Sequence, residues 1–231
     1  MNIKVRPLRI LQVVCIAIGV VGLLHIVAHL ILIEGPHSLE TTLALSLIDM
    51  DEELSVPTWI SQFLLLGASL SALLVATARR KAKQSYFRHW YGISAVLLYM
   101  SIDEGARIHE LVSDPLTRLL GTSGTFMVHG WVFAGPALVL LVAFLYIRFW
   151  LALPTATRWQ LFVAGFLYIA GAIGFEIIGG YHASLYGYDM TYRILVLAVE
   201  SVAMLGAAFA IYTFLGYQAK TQPDTTVSLE K

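Results

Sequence analysis

An Asp-Glu pair stands at the end of an apolar run, in the stretch YMSIDEGARIHE at residues 99–110. Carboxylates and imidazoles are the side chains that bind transition metals and move protons. We therefore assign candidate catalytic roles to Glu104 and His109, and candidate metal-ligand roles to Asp103 and His109. A charged residue at membrane depth is costly, so it is a functional hypothesis by default.

Two histidines stand four residues apart near the end of the first apolar run, in GLLHIVAHLIL. This spacing places His25 and His29 on one face of a helix, one turn apart. They form the best local pair of metal ligands in the chain. Two interfacial histidines that bond to neighbouring backbone or hydroxyl groups would show the same spacing, so a structural role stays open.

A spacing of six links an acid to a histidine in two of the predicted helices. Asp103 precedes His109 by six residues, and Glu176 precedes His182 by six in FEIIGGYH. On an ideal helix, residues six apart point about 120° away from each other. Glycine lies between the members of each pair, such as Gly105, and allows a local unwinding that would direct both at one ion. The repeated spacing is also compatible with chance.

Other ionisable residues fall in apolar surroundings. Glu200 lies about eight residues into the last helix, too deep to reach the membrane surface easily. Small residues one turn before and after Glu176 indicate a helix contact. Asp49 and Asp51, in the loop after the first helix, could reach the same cluster. With His129 at the start of the fourth helix, the candidate metal ligands are His25, His29, Asp103, His109, His129, Glu176, His182 and Glu200.

Something must neutralise the carboxylates of Asp103, Glu176 and Glu200. Desolvation and like charges disfavour the ionised form, so the three could not all stay charged without a partner. A metal ion would satisfy them, and mixed histidine and carboxylate ligands suit Zn, Fe or Mn. We therefore predict a transition-metal cofactor. The alternative is a structural network in which Arg107 and Arg193 balance the acids.

The composition is that of a membrane protein. Of 231 residues, 58% are hydrophobic and 13% are charged, and the mean hydropathy is +0.75. A soluble domain carries about 25% charged residues. The net charge of zero gives no indication of a nucleic-acid partner. The single cysteine, Cys15, excludes a disulfide within the chain and any Cys-rich metal site.

Six apolar segments predict an all-α integral membrane bundle of six transmembrane helices. A span needs about 20 residues. The third segment reaches this length only if its helix continues through the charged stretch to Asp114 and Pro115, where proline would end it. The six segments are 8–33, 57–78, 89–102, 125–149, 159–178 and 192–217.

The distribution of basic residues predicts the orientation. Twelve of the 15 Lys and Arg residues fall at the N-terminus, in the 2–3 and 4–5 connections and in the tail. Basic residues stay on the cytoplasmic side, so both termini are predicted to be cytoplasmic, with the polar pocket on the extracytoplasmic side. We predict one six-helix domain over residues 1–219, a disordered cytoplasmic tail over 220–231, and a place in a bacterial inner membrane.

The stretches LSVPTWISQFLLL, SIDEGARIHE, FEIIGG and VESVAMLG resemble a group of bacterial multi-pass membrane proteins that has no established activity. Ser101 and the content of His and Asp also resemble the intramembrane zinc amidases of the alkaline-ceramidase superfamily. That resemblance would imply a zinc hydrolase. The superfamily places its His-x-x-x-His late in a seven-helix chain, whereas here the motif lies in the first helix.

Three classes of function follow. The first is a metalloenzyme, a hydrolase or an oxidoreductase, that acts on a lipid or another apolar small molecule from the outer leaflet. The second is a proton-coupled or metal transporter. The third is a non-catalytic assembly or sensor protein that an ion-pair network holds together. Motifs for nucleotide binding and for serine hydrolases are absent, and the oligomeric state stays open.

Overall fold

The computed structural model describes residues 6–33, 38–120 and 131–221, and every regular element in these ranges is a helix. His129 lies outside the described residues, as do residues 222–231 of the predicted tail. The helices are α1 (Pro7–Ile33), α2 (Leu39–Ser46), α3 (Val56–Lys81), α4 (Phe87–Ala106), α5 (Ile108–Leu120), α6 (Trp131–Leu151), α7 (Thr155–Ile169), a π-helical turn (Ala170–Phe175), α8 (Glu176–Tyr186) and α9 (Met190–Thr221).

Five stretches of the described chain are long and apolar enough to cross a membrane: Pro7–Leu32, Val56–Lys81, Ala134–Leu151, Thr155–Tyr186 and Met190–Thr221. They correspond to five of the six predicted segments and agree with the predicted membrane class. The fifth predicted span includes the π-helical turn and α8, so it extends eight residues past the predicted end at 178. The last helix continues through Thr221, two residues past the predicted domain boundary at 219.

The third predicted segment is α4, which packs along α3. Small polar residues tie the pair together: Ser69 Oγ donates to the Ser94 carbonyl at 2.8 Å, and Ser101 Oγ donates to the Gln62 carbonyl at 2.9 Å. Protein therefore covers one side of α4. That α4 forms a sixth crossing stays a prediction.

The helix at the end of α4 is broken, and the prediction of one unbroken helix ending at Asp114 and Pro115 is wrong. Arg107 adopts the left-handed conformation with φ of 55°, and α5 then continues through Pro115 to Leu120. The proline costs α5 one backbone hydrogen bond without ending it. Asp103 stabilises the break, because its Oδ1 accepts the backbone N–H of His109 at 2.7 Å.

Replacing Asp103 by alanine is expected to destabilise this junction. The carboxylate accepts the His109 amide in the first turn of α5, and losing such a cap costs about 0.5–2 kcal/mol. Amide hydrogen exchange at residues 108–110 should accelerate in Asp103→Ala. Asp103→Asn is the matched control, since asparagine can still accept the bond. Equal protection in Asp103→Ala and the wild type would contradict the cap.

Two glycines allow α7 and α9 to approach backbone to backbone. A Cβ atom added to Gly206 would lie 2.5 Å from the Tyr168 nitrogen, and one added to Gly171 would lie 2.6 Å from the Ala203 nitrogen. Small residues at such contacts are typical of helices that pack in a bilayer. This contact fixes the position of α9, whose first turns border a group of buried histidines on α1.

Candidate metal centre

Two histidines of α1 face the interior of the bundle. His25 is fully buried and His29 is nearly so. Their rings meet edge to face, with centroids 4.7 Å apart. The i, i+4 spacing thus places both imidazoles on the face of α1 that packs against α9.

The third member of the group, Asp49, comes from the loop that joins α2 to α3. Its Oδ1 lies 3.0 Å from His25 Nδ1, and its Oδ2 lies 3.0 Å from His29 Nε2. The loop holds the carboxylate in place, because the backbone N–H of Asp51 donates to Oδ1 at 2.9 Å. Burial acts to raise the pKa of Asp49, but the contacts with His25, the Asp51 N–H and His29 outweigh it and hold that pKa well below its usual range.

Contacts with the backbone orient the His25 ring. Nε2 lies 3.1 Å from the Arg193 carbonyl, which can only accept, so Nε2 carries the proton. The backbone N–H of Met50 donates to Nδ1 at 3.0 Å, which makes Nδ1 an acceptor. Nδ1 and Asp49 Oδ1 are then two acceptors at 3.0 Å. Such a pair repels unless a proton or a cation lies beside both atoms.

His29 Nε2 is a second buried atom of the group that lacks a full set of hydrogen-bond partners. It lies 3.0 Å from Asp49 Oδ2, a distance that forms an ion pair when the imidazole is protonated. Within the described part of the chain, this buried nitrogen has no hydrogen-bond partner. An unsatisfied buried polar atom costs about 1–3 kcal/mol. A ligand between the imidazole and the carboxylate would remove that cost.

Together, His25, His29 and Asp49 form a group that could hold a metal ion. Each offers one ligand atom, and these atoms all lie within 4.8 Å of one another. Two imidazoles and one carboxylate, with a fourth position left open, is the ligand set of catalytic zinc sites. Metal-bound histidines usually donate their other ring N–H to a carbonyl or carboxylate, as His25 does to Arg193.

A pocket of about 540 Å³ opens beside the group. His29 and Asp49 form part of its wall, so a metal between them would face the pocket. Its size is within the range of pockets that bind small molecules. The rest of the wall comes from the end of α1, from α2 and from the turn before α9: Leu32, Thr42, Ser46, Glu52, Tyr188, Asp189, Met190 and Arg193.

Ion pairs hold the rim of the pocket together. Arg193 Nη1 donates to Asp51 Oδ2 at 2.6 Å, and the Tyr192 hydroxyl donates to Asp51 Oδ1 at 3.0 Å. Asp189 accepts the backbone N–H of Tyr192 at 2.9 Å and lies 2.8 Å from His182 Nε2. The Tyr192 N–H and His182 lower the pKa of Asp189. These contacts fix the first turn of α9, whose Arg193 carbonyl orients His25.

The acids and histidine of the stretch at residues 99–110 form a separate cluster. Asp103 Oδ2 lies 3.1 Å from His109 Nδ1, so the helix break at Arg107 brings together two residues that a regular helix would separate. Arg107 itself pairs with Glu53. Glu104 is half-buried and bonds to Ser61.

Glu104, Glu200 and Asp103 all lie within electrostatic range of Tyr168 on α7. Within the described residues, none of these acids joins the histidines of α1 in a metal-type group.

His182 lies against Asp189, in the turn after α8. That His182 and Glu176 bind one ion stays a prediction. Glu176 is the first residue of α8, and its side chain lies outside the described residues. The unwinding that we expected at the glycines between Glu176 and His182 does not occur, because α8 is regular from Glu176 to Tyr186 and the π-helical turn lies before it.

Asp49 is the residue that the sequence indicated least clearly. It stands 20 residues after His29, in an acidic loop beside Asp51 and Glu52, where a solvated role was equally reasonable. The signal that could have singled it out is its place between α2 and Pro57. A short helix and a proline bound the loop, and the structure places its Asp49 against His25 and His29 of α1.

A protein-family profile matches residues 13–216, and it is described as a domain of unknown function, DUF8692. The chain belongs to this family. No curated protein matches the chain. No solved structure matches it either. The matched range includes His25, His29 and Asp49, so the candidate metal centre lies within the family domain.

Proposed function

We propose that this DUF8692 member is a membrane metalloprotein whose transition metal is held by His25, His29 and Asp49. The observation that carries the proposal is the contact between two acceptors, His25 Nδ1 and Asp49 Oδ1, which are 3.0 Å apart. A divalent cation placed among the three side chains would turn this repulsion into coordination. It would also satisfy the buried His29 Nε2.

The burial of these three side chains favours a bound metal cation over a hydrogen-bond network without one. Ionised carboxylates are rarely buried unless they are paired or coordinate a metal. Asp49 has two imidazoles as its nearest side-chain partners, and neither is a permanent cation. Metal loading would displace the Met50 N–H from Nδ1, a small adjustment in a loop. The ligand set suits Zn, Fe or Mn.

The open side of the group supports a hydrolytic reaction. A metal held there would polarise a substrate carbonyl or phosphoryl group and lower the pKa of a bound water to about 7. The chain would supply the remaining functions: Arg193 can orient an oxygen of the substrate, and the Glu52 carboxylate in the wall can take up a proton. We place this pocket on the extracytoplasmic side, on the basis of the basic residues alone.

Metal-dependent hydrolysis agrees with the resemblance to alkaline ceramidases, which stays a prediction. In this chain the His-x-x-x-His motif that would hold the metal lies in α1. Asp103, Glu104 and His109 are therefore a second polar cluster in this proposal, and no metal role is assigned to them.

Transport is the less favoured function. The far end of the bundle is filled by an aromatic cluster, in which fully buried Trp90 stacks on Tyr217 and contacts Phe149 and Phe214 edge to face. In the described part of the chain this packing closes the side opposite to the pocket. A transport path would require the cluster to separate.

Hydrolysis is tested with protein reconstituted in lipid nanodiscs and supplied with fluorogenic lipids that carry an ester, an amide or a phosphodiester bond. We expect turnover of one of these classes, loss of that turnover on chelation, and recovery when one equivalent of Zn²⁺, Mn²⁺ or Fe²⁺ is restored. His29→Gln should remove the activity. His109→Gln is the matched control and should retain it.

Turnover that resists chelation would refute the metal-dependent reaction. If the protein binds stoichiometric metal but hydrolyses none of the three lipid classes, the metal site is structural rather than catalytic.

A further inference from the structure

Helix α2 has an apolar face that the described protein does not cover. Leu39, Leu43 and Leu47 are 75%, 57% and 54% exposed, and no residue of α2 is buried. Their spacing of four places them on one stripe within about 80° of the helix circumference. A helix of eight residues would not stand free in water with such a stripe exposed, because short isolated helices are marginal.

The stripe continues into other exposed apolar residues. Leu54, just before α3, and Trp59, in its first turn, are exposed as well, and α3 is one of the candidate spans. Leu30 and Ile31, at the end of the α1 span, are exposed on the same end of the bundle. Tryptophan at the end of a span is typical of the membrane interface. Exposed apolar residues of two candidate spans, α1 and α3, thus lie at the same end of the bundle as the leucines of α2.

The neighbouring face of α2 is polar and borders the metal centre. Thr42 and Ser46 line the pocket together with His29 and Asp49. A hydroxyl of the N-cap Ser38 and an acid in the first turn, Glu40, stabilise the start of the helix. One short helix thus separates the pocket from whatever covers the leucines.

We propose that α2 lies in the membrane interface with its leucines in the bilayer, and that the pocket receives the polar headgroup of a membrane lipid that enters sideways past α2. The acyl chains would stay against the leucine stripe while the headgroup contacts Thr42, Ser46 and Arg193. The second half of this proposal rests on the proposed function. The position of α2 does not, since it follows from the exposed leucines alone.

Site-directed fluorescence tests the position of α2. Cys15→Ser removes the single cysteine, and a cysteine is then introduced as Leu43→Cys, Thr42→Cys or Ser85→Cys and labelled with bimane. The full-length proteins are placed in nanodiscs of phosphatidylcholine and phosphatidylglycerol. The quenchers are iodide in water, lipid with a nitroxide on the headgroup, and lipid with a nitroxide on acyl carbon 5.

The label at Leu43→Cys is expected to lose fluorescence to the acyl-chain nitroxide and to resist iodide, because an interfacial helix buries its apolar face about 5–10 Å deep. The label at Thr42→Cys should lose fluorescence to the headgroup nitroxide. Ser85 is exposed in the connection between α3 and α4, so its label is the water-exposed control and should be quenched by iodide.

Iodide quenching at Leu43→Cys equal to that at Ser85→Cys would overturn the placement of α2. If the acyl-chain nitroxide quenches the label at Leu43→Cys but the headgroup nitroxide does not quench the label at Thr42→Cys, the entry of a lipid is overturned and the placement of α2 stands. None of these readings requires bound metal. A wild-type protein that binds no metal would therefore leave the fluorescence result intact, and the two proposals fail separately.

Discussion

Asp49→Asn is expected to lower the affinity of the purified protein for Zn²⁺ or Co²⁺ by about 100-fold or more, since loss of an outer-shell partner alone costs 10–100-fold. Asparagine keeps the size of the side chain but removes the charge that balances the cation. The wild type should bind one equivalent of metal. Competition with a chromophoric chelator measures the affinity, and the visible absorption of bound Co²⁺ reports tetrahedral coordination by His25, His29 and Asp49.

The control is Asp103→Asn, which makes the same change in the acid–histidine pair of the second cluster. It should bind metal as the wild type does, because Asp103 contacts His109 and caps α5. If Asp103→Asn lost metal binding and Asp49→Asn kept it, the metal site would have to be assigned to the second cluster. A wild type that binds no stoichiometric metal would refute the centre.

In that case the remaining explanation is a proton shared between His25 and Asp49. Nitrogen NMR of the imidazoles would then show both nitrogens of His25 protonated. The bond from Met50 to Nδ1 would be lost in that state, since the nitrogen could no longer accept.

Gly206→Ala is expected to destabilise the bundle by forcing two helix backbones apart. The added Cβ would lie 2.5 Å from the backbone nitrogen of Tyr168 and 2.8 Å from the carbonyl oxygen of Ala164. Neither backbone atom can rotate away, so α7 and α9 must separate. Overpacking costs about 1–3 kcal/mol and sometimes more, which thermal unfolding in mild detergent or nanodiscs would measure.

Gly216→Ala is the matched control, ten residues later on α9. Nothing lies within 4 Å of a Cβ added at Gly216. Alanine there should leave the stability unchanged or raise it by up to about 1 kcal/mol, the difference in helix propensity. A Gly206→Ala protein as stable as Gly216→Ala would show that α7 and α9 do not pack backbone to backbone.

The membrane class could be predicted because it depends on composition and run length. Five apolar runs became candidate spans, since about 20 apolar residues in succession have few alternatives to a transmembrane helix. The end of the third apolar run was harder to predict, because the length of a run does not show where its helix breaks. Asp103, accepting the amide of His109, decided that break.

The pairing of ligands could be predicted only where it is local. The spacing of His25 and His29 sufficed to place both on one face, because a helix repeats every 3.6 residues. The spacing of six indicated no such convergence. One acid–histidine pair, Asp103 and His109, meets through the break at Arg107, and the contact described for the other histidine, His182, is with Asp189.

The sequence by itself determined the all-α class, five of the candidate spans and the shared face of His25 and His29, because each depends on residues that are close along the chain. Only the tertiary structure decided that Asp49 completes the group and that the Arg193 carbonyl orients His25. Those contacts depend on how a loop folds across the end of α1 and on how closely α9 packs against α7. No local periodicity records such long-range packing.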